Sequence, residues 1–99
     1  MKVKTKSGFT CDVSEKKIGS WNLMDMYSGI SKAAKEDDYT EVIERTRAMY
    51  MFVLGEEGYK ALFDHLKDAD GVVDPKDMTA DFNEIMTIAN SKKSKSSQA

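Results

Sequence analysis

The chain has 99 residues but only one cysteine, Cys11, and one histidine, His65. A lone cysteine cannot close an internal disulfide, and one cysteine with one histidine is no zinc-ligand set, so a reducing cytoplasm fits. No apolar run approaches the ~18 residues a bilayer-spanning helix needs, and the lysine-rich residues 1–7 are followed by no apolar signal segment. The expectation is a cytoplasmic protein, neither secreted nor membrane-inserted by its own signals. Internal repeats, interdomain linkers and side chains at catalytic spacing are also missing, so the chain reads as no enzyme. The net charge of −2 hides a split: Lys2, Lys4 and Lys6 give +3, Lys92, Lys93 and Lys95 give +3, and residues 7–90 carry −8. An acidic body with basic ends argues against nucleic-acid binding, which needs Lys and Arg clustered on a folded face.

What is present is a foldable composition, 40% hydrophobic and 32% charged, suited to one domain that buries roughly 60 to 70% of its unfolded surface. The expected fold is mainly α with a small β part (α+β). A β-hairpin over residues 2–13 packs on about four helices, 21–35, 39–54, 56–69 and 75–90. Residues 1–90 form one globular domain, and 91–99 a disordered basic tail. The organising stretch is 39–54, YTEVIERTRAMYMFVL, whose Tyr39, Val42, Ile43, Thr46, Met49, Tyr50, Val53 and Leu54 recur at helical steps. Its second half is apolar almost all round and calls for neighbours on several sides.

Punctuation sets the other elements. In the hairpin, a three-residue loop pairs Phe9 with Thr5, Cys11 with Val3 and Val13 with Met1, leaving one face apolar; a two-residue loop would mix Phe9 and Cys11 with lysines. Ser14 opens a short turn and Ser20 caps the first helix, whose predicted inward stripe is Leu23, Met26, Tyr27, Ile30 and Ala34. Gly29 marks close packing in that helix. Asp38 caps the central helix with Glu41 placed to reciprocate, and Gly55 ends it. Tyr59, Leu62, Phe63 and Leu66 form the next stripe. Asp74-Pro75 starts the last helix, with Met78, Phe82, Ile85, Met86 and Ala89 inward.

Several local signals have plain structural readings. Residues 66–77, LKDADGVVDPKD, align with a calcium-binding loop at Asp68, Asp70, Gly71, Asp74 and Asp77, but Leu66 holds the first ligand position. Helix stop followed by helix cap explains the same residues. His65 has no nucleophile at helical spacing, Cys11 alternates with Phe9 and Val13 as a small hydrophobe, and the pairs Asp37-Asp38 and Glu56-Glu57 sit at helix starts. A helix-turn-helix is disfavoured because its reading helix would carry Glu56, Glu57, Asp64 and Asp68 against Lys60 and Lys67. More informative is a second apolar face: Ala48, Met51 and Phe52 on the central helix, with Trp21 and Met24 off the main stripe of the first. Either the hairpin and last helix cover this face, or Trp21, Met24, Met51 and Phe52 meet a partner.

Taken in order, KVKTKSGFTCDV, WNLMDMYSGI, FVLGEEGYKALFDHLKDADGVVDPKDM and the lysine- and serine-rich end resemble the tail assembly chaperones of long-tailed, siphovirus-type bacteriophages and prophages of Gram-positive bacteria. The resemblance covers nearly the whole chain and is carried most by Leu54-Gly55-Glu56-Glu57 with Tyr59, Leu62, Leu66, Asp70-Gly71 and Met78. It implies a non-enzymatic factor without cofactors that works in the host cytoplasm and is absent from the finished virion. Such a factor binds the helical tape measure protein, keeps it soluble and helps the tail tube protein polymerise around it. It also implies a longer product made by ribosomal frameshifting, with the stretch around Lys92-Lys93 as linker. Self-association fits the second apolar face. The alternative is a generic helical interaction module, regulatory or antitoxin-like, with no tail genes beside it.

Overall fold

The structure, a computed structural model, describes residues 1–98 and their side chains as far as residue 94. Strands β1 (Lys2–Lys4) and β2 (Thr10–Asp12) pair antiparallel with Val3 opposite Cys11, the register that side-chain facing predicts. Its loop is closed by Thr5 N–H to Phe9 O at 2.9 Å and Gly8 N–H to Thr5 O at 3.0 Å. Gly8 stands at φ 92°, where a Cβ is disfavoured. Val3, Thr5, Phe9 and Val13 are therefore buried together with Cys11 half-buried, while Lys2, Lys4, Thr10 and Asp12 face outward.

Residues 14–19 form a hydrogen-bonded turn that buries Ile18 completely. The Ser20 hydroxyl then accepts Leu23 N–H at 3.1 Å and starts α1 (Trp21–Lys35). At the far end Asp37 adopts φ 56°, and the N–H groups of Asp37 and Asp38 return to Ala34 O and Ala33 O. This closing motif satisfies carbonyls that would otherwise be orphaned. Asp38 also caps α2 (Tyr39–Leu66), accepting Glu41 N–H at 3.1 Å. Glu41 does not reciprocate; its carboxylate takes Arg45 Nε at 2.7 Å. Arg45 in turn lies over Gly29, where a built Cβ would come within 2.5 Å of its guanidinium.

Four helices were expected, and the break predicted at Gly55 is present, although 39–66 is one kinked element among the three helical elements described. Residues 39–54 and 56–66 form one element, α2, broken by Gly55 at φ 79°, ψ 162°, a conformation available essentially to glycine alone. The second limb stops at Leu66, three residues before the predicted end, because Asp68 turns into its own loop. Its carboxylate accepts Asp70 N–H and Val72 N–H at 2.8 and 3.0 Å. The last element, α3, runs Pro75–Gln98. The tail expected over 91–99 is thus helical through Gln98, and Ala99 lies outside the described residues. Lys92 and Lys93, read as tail or linker, donate their ammonium groups to Lys2 O and Ile18 O. Long lysine stems let a polar helix end dock its charges on backbone carbonyls, a gain invisible to hydropathy.

The core lies where the hairpin, the 14–19 turn, the middle of α2 and the inward face of α3 meet. Phe82, Ile85, Leu62, Ile18, Val3 and Val13 are its most deeply buried large side chains. Tyr50 stacks on Phe82 with ring centres 4.0 Å apart. The α3 stripe is as predicted, except that Met78 is only half-buried. On α1 the stripe differs: Ala33, not Ala34, is buried, and Tyr27 is only partly covered, at 42% exposure. The molecule is a slab of 42 × 35 × 19 Å.

Candidate partner-binding groove

The apolar stripe of α2 is continuous in sequence, yet the body covers only its second half. Met49, Tyr50, Val53 and Leu54 are buried, Val42 and Thr46 are half-buried, and Ile43 and Tyr39 are 58% and 71% exposed. Gly55 redirects the chain so that the limb 56–66 faces the first limb across a groove of about 490 Å³. Ile43 and Arg47 line one side, Tyr59 and Phe63 the other, and Val73 and Met78 complete it. Phe63, expected inside, is 39% exposed here. Tyr50 closes the deep end. Burial pushes its phenol above the ordinary 10.0, partly opposed by a hydrogen bond with Thr79.

Arg47 is the single charged residue among the described groove walls, and it has no ion pair there. An open apolar trough with one guanidinium is chemistry for recognising an apolar side chain beside an acidic one.

Of the side chains expected to meet a partner, Trp21 and Met24 are 79% and 58% exposed, one helical turn apart on α1. Met51 and Phe52 are half-buried. Phe52 packs on the core, and the Lys17 ammonium lies 5.1 Å from its ring centre. The 14–19 turn thus supplies part of the cover Phe52 needed, and the four residues do not form one exposed face. Ile43 and Phe63 escaped sequence reasoning because they sit on the main stripes, which were assigned inward. A readable signal was the length of the 39–54 stripe, four turns of apolar surface in a chain with little to cover it.

Tertiary contact also assembles a polar cluster that spacing could not disclose. Asp81, only 8% exposed, accepts the hydroxyls of Thr5 and Ser7, each at 2.9 Å. Ser7 meets His65, whose Nε2 lies 2.9 Å from Ser7 O and 3.2 Å from its hydroxyl. A carbonyl only accepts, so Nε2 carries the proton in that bond and is no base toward Ser7. The carboxylate holds the serine rather than orienting the histidine, the reverse of the wiring that activates a nucleophile. What the cluster does is fasten the hairpin loop to α3. Glu84 adds to it by taking Lys6 N–H with both oxygens, at 3.0 and 2.8 Å.

The acidic loop is likewise committed to backbone. Asp74 caps α3 through Lys76 N–H at 2.9 Å, and among the described residues no group of three His, Cys, Asp or Glu is placed to hold a metal ion. The Cys11 thiol is pushed above its ordinary 9.0 by burial, with Asp12 and Asp81 adding to the shift and the N-terminal ammonium opposing it, which favours the protonated form. Among the described residues no helix is long and apolar enough to cross a membrane. No known protein family, curated protein or solved structure matches this chain.

Proposed function

We propose that this chain is a tail assembly chaperone of a long-tailed phage or prophage, acting in the host cytoplasm on the tape measure protein. The observation that carries the reading is the groove: an acidic, mainly helical slab leaves Ile43 and Phe63 open beside a single guanidinium. A long helical rod with apolar stripes aggregates unless those stripes are covered, and a shallow apolar trough covers a helix face. The sequence resemblance supplies the identity of the client. In this reading the tail tube protein is a second partner, Trp21 and Met24 offer a further contact patch, and frameshifting near Lys92-Lys93 yields a longer product. An encoding sequence with no slippery heptamer there would remove that last element.

The test is co-expression with the long helical protein encoded downstream, followed by co-purification. The client is expected to become soluble and to travel with the wild-type chain, and to be lost with folded Ile43→Asp/Phe63→Asp. Retention by that variant together with loss by Trp21→Asp/Met24→Asp would move the site to α1. A client that stays insoluble with every form would return the chain to the generic helical interaction module.

A further inference from the structure

We infer that a second copy of this chain docks on the groove, with Trp21 and Met24 of one molecule entering the groove of the next and Asp25 pairing with Arg47. On α1, at 100° per residue, Met24 and Asp25 flank Trp21 within one outward arc. The patch is thus an exposed aromatic, an adaptable methionine and a carboxylate. Trp21, at 79% exposure, is the most exposed large hydrophobic side chain described. The groove offers the complement: apolar walls from Ile43, Tyr59 and Phe63, and, one turn beyond Ile43, a guanidinium with no ion pair among the described residues. Asp25 has no ion pair among the described residues either. The groove volume of about 490 Å³ exceeds what one tryptophan and one methionine fill, so both can enter without displacing the walls.

Position makes the contact head to tail. Trp21 begins α1, whereas Ile43 sits one turn into α2, beyond the α1–α2 turn. At 1.5 Å per residue, the 15-residue length of α1 separates the two surfaces by roughly 20 Å. One molecule can therefore give its Trp21 patch and receive another's at the same time, the geometry of a heterologous interface. An aromatic anchor buries ~200 Å² and the surrounding groove a few hundred more, below the ~1,200 Å² of a standard interface, so association belongs in the micromolar range or weaker. The inference concerns the chain alone and does not depend on the identity of a client.

Sedimentation velocity of the purified chain, from about 10 μM to about 1 mM, tests it. Wild type is expected to associate with rising concentration, and Trp21→Asp and Ile43→Asp each to remain monomeric while keeping the wild-type circular dichroism spectrum. Mixed together, these two variants retain one intact groove and one intact Trp21 patch, and should form a heterodimer that grows no further. Arg47→Glu should weaken association at least tenfold, and adding Asp25→Arg should restore it to within about threefold of wild type. A chain that stays monomeric throughout overturns the inference, as does association unchanged in both single variants or a mixture that fails to pair. None of these outcomes depends on the co-expression test, so this contact and the chaperone reading can fail separately.

Discussion

Asp37 is the only residue other than glycine with positive φ in the described chain, at 56°. The left-handed conformation strains a Cβ, and aspartate relieves only part of that. Asp37→Gly should therefore stabilise the protein by about 0.5 to 1 kcal/mol, read as a higher urea midpoint at unchanged slope. Ionisation acts at the same scale. Burial raises the phenols of Tyr50 and Tyr27 above 10.0 and the Cys11 thiol above 9.0. The fold holds these protons more tightly than the unfolded chain, so their contribution is complete below about pH 9 and falls as pH climbs through 9 to 10 and beyond. Urea midpoints measured from pH 7 to 11 should be flat and then drop, with a shallower drop in Tyr50→Phe. A midpoint that rises with pH would contradict the assignment.

At the scale of elements, the hairpin is held by its register and by its polar latch. Removing the Asp81 carboxylate leaves the buried Thr5 hydroxyl with only the exposed Ser7 hydroxyl, 3.0 Å away, as partner. Asp81→Ala should cost about 1 to 3 kcal/mol, with the hairpin amides losing hydrogen-exchange protection before those of α2 and α3. Gly55→Ala should cost a similar ~1 to 3 kcal/mol for a different reason. A Cβ there meets nothing within 4 Å, so the penalty is purely conformational. The hairpin register was legible because side chains alternate with period two and only one loop length keeps lysines off the core. The latch was not, since Ser7, His65 and Asp81 are brought together only by tertiary packing. Helix α3 was read too short because its last turns lack large apolar residues, while the carbonyls that receive Lys92 and Lys93 belong to distant segments.

For the whole molecule, the deciding quantity is how far a small body can cover its own helices. Leu62 is fully buried, and Leu62→Ala should destabilise by about 2 to 5 kcal/mol. Ile43 lies on an equally apolar stripe but outside the body, so Ile43→Ala should change stability by no more than about 0.5 kcal/mol. Chemical denaturation of the two variants side by side measures the difference; equal losses would mean the groove is core. This is also why the candidate site was only partly legible. Periodicity shows which helical faces are apolar, whereas which of them the rest of the chain reaches depends on packing geometry. Trp21 and Met24 could be picked out because they depart from a stripe, while Ile43 and Phe63 obey one.

The break in α2 also links the two sides of the groove mechanically. Ile43 and Phe63 belong to one element and are divided by the torsion angles of Gly55 alone. Phe63 lies eight residues past that point, a lever of ~12 Å, so a 10° rotation there carries its ring ~2 Å toward or away from Ile43. Leu62 rides on the same limb and is fully buried, so such a rotation would drag it through the core, and close packing holds the aperture at one width.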